Sequence, residues 1–278
     1  MSFNADRVIC STITLRHLPL PEALAGIAEQ GFSGIDLGAL PGVCNHVPFV
    51  LDEDAVEVVA AQVRASGLAV RSINADIGDL NLPIDAAGQA GRDRHMALLL
   101  DLAVAIGSTA IVLPNGAQSA EPVDSLDADI DRVAAQLARA ADASEARGIE
   151  LWVEAPHFHR LVNDLGRTAA FLPRLDPRIG VVLDVSHIVA SGGTPREFLA
   201  AHTERTRHVH LRDAEPGYIN HSIGRGRVDF VDAIAALGEA GYRGALSLEL
   251  ETRDTEDADR ARVAREAAEF ISGLLPTL

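Results

Sequence analysis

Cysteine is nearly absent from this chain, and the little there is excludes a whole class of protein. Cys10 and Cys44 make no disulfide framework, and neither has a Cys or His at zinc-site spacing, so both are expected to be core or loop thiols. Positive charge is scarce as well: 24 Lys and Arg stand against 40 Asp and Glu, giving a formal net charge of −16 and a pI near 4.9. Such a balance repels nucleic-acid phosphates and anionic membranes at long range, which argues against both as partners. No apolar run approaches the ~20 residues that cross a bilayer. The opening "MSFNADRVIC" lacks a basic stretch followed by an apolar core, so the expectation is a cytoplasmic protein without a secretory signal. No Pro/Gly/Ser-rich linker and no charge block interrupts the sequence, which predicts one domain over residues 1–278. A phosphate-binding G-x-G-x-x-G after the first strand is also missing; "GRGRVDF" at 224–230 has neither the P-loop lysine nor the dinucleotide-binding spacing.

What is present is a regular alternation of short β-rich apolar runs with longer amphipathic segments. The runs read as strands are "RVICSTI", "GIDLG" (34–38), "AVRSIN" (69–74), "AIVLP" (110–114), "IELWVE" (149–154), "IGVVLD" (179–184), "RHVHLR" (207–212) and "ALSLELE" (245–251). Helices are expected between them, for example over "DEDAVEVVAAQVRASG" and "GRDRHMALLLDLAVAIG", each ended by a Gly suited to a left-handed cap. Eight βα repeats predict an α/β fold, a single (β/α)8 TIM barrel.

The stretch "GVVLDVSHIV" at 180–189 would suit a buried sheet except for Asp184 and His187. A buried ionised carboxylate needs a compensating positive charge. Other late strands end the same way, with Glu154, His210 and Glu249 at the level of Asp184. Alternation places Leu246, Leu248 and Leu250 toward the helices and Ser247, Glu249 and Glu251 inward, and likewise His208 and His210 inward. Three carboxylates and an imidazole in one cavity cannot all keep their charge without a cation, so one divalent metal is expected. Carboxylate-rich coordination prefers manganese, magnesium or cobalt over structural zinc.

On "WVEAPH", "VVLDVSH", "HVHLRDA" followed by "IGRGRVDF", and "GYRGALSLELE", the chain resembles the xylose isomerase-like TIM barrels, a superfamily of sugar epimerases and isomerases, inositol-pathway isomerases and dehydratases, and endonuclease IV. The resemblance implies that Glu154, Asp184, His210 and Glu249 bind one divalent ion, manganese first, with magnesium, cobalt or zinc as alternatives. It implies that Glu154 and Glu249 also act as acid and base in an enediolate-type proton transfer on a small keto-sugar or keto-polyol. His187, His157 and Arg212 are the expected substrate contacts. Arg212 and Asp213 are alternatively read as orienting His210 or as surface ion-pair members, and Trp152 as filling the barrel beneath the site. The sugar epimerases of the family carry an arginine where this chain has Pro216 and a glutamate where it has Arg160. That departure points away from ketohexose epimerisation and leaves inosose-type dehydration open. The remaining alternatives are a non-catalytic sugar-binding subunit and an endonuclease IV-like enzyme. The last is disfavoured because "SINAD" and "VLPNG" lack the extra metal-binding histidines. The reading is compatible with a homo-oligomer.

Overall fold

A computed structural model describes residues 3–275. Seven strands follow one another as β1 (Val8–Ser11), β2 (Gly34–Ala39), β3 (Ala69–Ala75), β4 (Ala110–Pro114), β5 (Glu150–Glu154), β6 (Gly180–Asp184) and β7 (Thr206–Leu211). A short antiparallel hairpin of β8 (Asp213–Glu215) and β9 (Tyr218–His221) comes next, and β10 (Leu246–Leu248) completes the set. The parallel strands close in the order β1-β10-β7-β6-β5-β4-β3-β2, so the expected eight-stranded barrel is the fold.

The helices are α1 (Leu20–Glu29), α2 (Glu53–Ser66), α3 (Ala86–Ile106), α4 (Leu126–Glu145), α5 (Leu165–Phe171), α6 (Val185–Ala190), α7 (Pro195–His202), α8 (Phe230–Glu239) and α9 (Arg260–Leu274). Their starts are written in side chains that accept otherwise unpaired amides: Asp52 takes the Ala55 N–H, Ser125 that of Ala128, and Thr194 with Glu197 forms a reciprocal capping box. The α3 helix begins five residues before the predicted "GRDRHM" start because Asp85 accepts from the Gly88 N–H and caps a turn whose small residues carry no apolar signal. Among the described residues no helix is long and apolar enough to cross a membrane.

Two predicted strands are shorter than read. The first stops at Ser11, whose hydroxyl caps a 3-10 turn over Thr12–Leu15. The last stops at Leu248, because the Leu250 N–H turns aside to the Thr14 hydroxyl at 3.1 Å. Inside the barrel, Ala110, Val112, Trp152 and Val182 form an apolar layer. Trp152 is fully buried there, with the Arg71 guanidinium 4.6 Å from its ring, which bears out its reading as filler. Gly180 allows that fit: a Cβ there would stand 2.6 Å from the Trp152 ring. Cys10 and Cys44 are both buried thiols.

Candidate metal centre and active-site pocket

Asp184 lies at the junction of β6 and α6. One carboxylate oxygen caps the helix, accepting the Ser186 N–H and hydroxyl at 2.6 Å each and the His187 N–H at 3.1 Å. The other oxygen is buried without a hydrogen-bond partner and faces the barrel axis between Arg212 Nη2 at 3.8 Å and His187 Nε2 at 3.9 Å. An apolar-looking run therefore hides a strand that ends on its own helix cap. The second oxygen is left for something positive.

Glu154 at the end of β5, His210 in β7 and Glu249 just past β10 bring their ligand atoms together with that of Asp184, all within 4.8 Å of one another and all buried. His210 Nδ1 is 3.2 Å from Glu154 Oε1 and 3.7 Å from Glu249 Oε2, while Asn74 Nδ2 donates to the other Glu249 oxygen at 2.8 Å. Burial pushes the Glu249 carboxyl up to about 8, Glu154 and Asp184 adding to the rise against His210 and Arg212. Burial alone would strip the proton from His210. The Glu249 charge, then the neighbouring Asp36 and Glu154 carboxylates, hold its imidazole well above the ordinary range. Both shifts arise in one buried cluster that crowds three carboxylates around an imidazole. An orphaned carboxylate oxygen and an oxygen-rich donor set fit a divalent cation.

Above the cluster, the His157 and His187 rings stack with centroids 3.9 Å apart. The Phe158 N–H donates to His187 Nδ1 at 3.0 Å, and the His159 N–H donates to His157 Nδ1 at 3.3 Å. A neutral imidazole whose Nδ1 accepts must carry its proton on Nε2. Burial first holds both pKa values well below the ordinary one, helped by neighbouring cations, so both rings are neutral. The 3.5 Å contact between Arg212 and His187 Nε2 is too long to reverse the tautomer set at Nδ1. Glu154, His157 and His187 are close enough to suggest a second ion, but these tautomers make the two histidines N–H donors instead.

Arg212 is 1% exposed, which removes the surface ion-pair alternative; it donates to the Ser186 hydroxyl at 3.0 Å and lines the pocket. Asp213 corrects its reading. It neither orients His210 nor touches the pocket, because its carboxylate accepts the N–H groups of Ala214, Gly224, Gly226 and Val228 at 2.8–3.0 Å. The glycine-rich "GRGRV" thus wraps an internal anion, and a Cβ at Gly226 would collide with it. Arg160 also lines the pocket, paired to Asp76 at 2.9 Å. Sequence reasoning assigned no role to Asn74, Asp76 or Glu251, all pocket-lining. For Asn74 the signal existed, a polar residue on the interior face near the end of β3.

A closed parallel barrel with an acidic, histidine-bearing cluster at the C-terminal ends of its strands defines a TIM-barrel protein with a polar cavity at its mouth. The chain belongs to the xylose isomerase-like TIM barrel family, whose sequence pattern matches residues 24–274. It is 25% identical over 242 residues to an L-ribulose 3-epimerase of Methylomonas sp. (strain DH-1), covering 82% of this chain and 77% of that one. It is 24% identical over 172 residues to an inosose dehydratase of Lacticaseibacillus casei, covering 54% of this chain and 56% of that one. Among solved structures, the IOLI protein with a bound zinc atom superposes with a TM-score of 0.77 at 16% identity over 98% of this chain and 100% of that one. Relatives of the chain are therefore sugar epimerases and dehydratases.

Proposed function

We propose that this protein is a divalent-metal-dependent isomerase or epimerase of a small keto-sugar or keto-polyol, working by proton transfer next to the carbonyl. One observation carries the reading: the buried cluster of Glu154, Asp184, His210 and Glu249, with an Asp184 oxygen left unpartnered. Those four residues would hold one ion, with manganese preferred for its taste for carboxylate and imidazole donors. When bound, the ion supplies Lewis-acid stabilisation of negative charge developing on substrate oxygen. The chain contains no lysine, so a keto substrate cannot be activated as a Schiff base on a side-chain amine.

Glu154 and Glu249 act as base and acid, reaching the pocket from strands that β6 and β7 separate in the barrel. Burial raises the Glu249 carboxyl, and an ion held beside it would draw it back toward the ionised form that takes a proton. His187 and His157 offer Nε2–H groups to substrate oxygens, and Arg212, buried against Ser186, lends a fixed charge to the same wall. A second reading, dehydration of an inosose-type substrate, is favoured by Arg160, which places a cation where sugar epimerases of the family have a carboxylate. It uses the same first proton abstraction.

The test is deuterium exchange from solvent into keto-sugars and keto-inositols with Mn²⁺ present, followed at each carbon. Glu154→Gln and Glu249→Gln, loaded with metal and with occupancy confirmed, are expected to lose exchange by about 10²–10⁴-fold. Exchange at the parent rate in both variants would discard the acid–base assignment. A parent that binds such compounds and never exchanges them would favour a binding protein, and loss of water with exchange would favour the dehydratase.

A further inference from the structure

Below the proposed metal centre lies a second polar layer that no part of the reaction uses. Asp36, on β2, is fully buried and does not line the pocket. Its Oδ2 stands 2.7 Å from His208 Nε2 and 3.6 Å from His210 Nε2, while Oδ1 accepts the Ser72 hydroxyl at 2.7 Å. His210 thus has two differently occupied ends. Nδ1 faces Glu154 and Glu249, and Nε2, buried and without a hydrogen-bond partner, faces Asp36 Oδ2 across 3.6 Å.

We propose that Asp36 is a positioning residue for His210, aiming its Nδ1 lone pair into the carboxylate cluster, and that His208 and Ser72 hold Asp36 in place for this purpose. An imidazole that gives Nδ1 to a cation must keep its proton on Nε2, and a carboxylate facing that proton fixes both tautomer and ring angle while making the ligand more basic. Asp36 faces it. The companion pair is what makes the carboxylate dependable: Ser72 occupies one oxygen, and His208 donates from Nε2 to the other at a short distance. The three residues Asp36, His208 and His210 could themselves be taken for a metal site. The 2.7 Å bond between Asp36 and His208 already uses the facing lone pair and proton, which leaves Asp36 and His208 no role as ligands.

This inference rests on the metal reading of the four-residue cluster, and one titration separates the two. The full-length protein, stripped with a chelator, is titrated with Co²⁺ and followed by its visible absorption, with near-ultraviolet circular dichroism reporting the fold. Asp36→Asn, nearly isosteric but uncharged, is expected to fold and to bind Co²⁺ about 10–100-fold more weakly than the parent. A folded variant within about fivefold of the parent overturns the proposal even if its melting temperature falls, since a merely structural residue would move stability and not affinity. Should Asp36→Asn fail to fold, Ser72→Ala decides: it loosens the carboxylate without touching a proposed ligand. A loss of about threefold or more upholds the role of Asp36, and a smaller one overturns it. A parent that takes up no Co²⁺ sinks the metal centre itself, whereas equal uptake by parent and variant sinks only the positioning role.

Discussion

At the scale of single residues, the arrangement turns on which nitrogen of an imidazole carries its proton. His187 accepts a backbone N–H at Nδ1, which commits it to donating from Nε2. It is therefore expected to help the reaction without holding the ion. His187→Ala should lower kcat by about 10²–10³-fold, the usual cost of losing one donor to developing negative charge, while metal content stays at the parent value. Metal analysis that fell together with activity would instead make His187 a ligand. The buried four-residue cluster was legible in the sequence: strand-end position and alternation picked out Glu154, Asp184, His210 and Glu249. Asp36 was not, because its partner His208 lies 172 positions away across the barrel and nothing local in "GIDLG" announces it. Asp213 misled for the opposite reason. It sits beside Arg212 in sequence, yet its side chain turns to a loop that only the folded chain brings near.

At the scale of elements, the alternation of periods located the barrel strands, while their ends and the short helices between them were less visible. The β6 strand passes into α6 within "LDVSH", where an apolar run continues unbroken through a change from strand to helix. The segment entering β6 is anchored by Arg178, which bonds Asp176 on its own loop and reaches Asp142 and Glu145 on α4. The side-chain bond from Arg178, then its backbone bond, lower the Asp176 carboxyl from 3.8 to about 2. A carboxyl depressed in the folded state stabilises above its unfolded value, and that contribution is lost as pH falls through the folded one. Asp176→Asn should therefore lower the melting temperature at neutral pH by a small amount, within the ~0–1 kcal/mol of an exposed pair, and the gap should close between pH 4 and pH 2. Melting curves across that range check it; a gap unchanged at pH 2 would rule the linkage out.

At the scale of the whole molecule, all 24 cationic side chains are arginine, and they serve a chain with 40 acids. Several stitch neighbouring helices through paired carboxylates, as Arg139 does from α4 to Asp93 on α3 and Arg196 from α7 to Asp232 and Glu239 on α8. Two others, Arg160 and Arg212, are spent inside the pocket. The closed barrel itself was readable because its rule is repetitive. The hairpin of β8 and β9 was not, being an interruption between β7 and α8 that no repeat foretells.

That interruption ends in a stretch with neither strand nor helix, where solvent would ordinarily replace amide hydrogens quickly. The amides of Gly224, Gly226 and Val228 are instead gathered by the buried Asp213 carboxylate. Opening any one of them means parting from a charge already taken out of water, so the three are expected to remain protected in hydrogen–deuterium exchange long after other loops have exchanged. Asp213→Ala, which removes the shared acceptor, should release them together. Because Asp213 follows His210 and Arg212 on the same short run of chain, the loop's exchange rate doubles as a clock for how firmly the pocket wall is held.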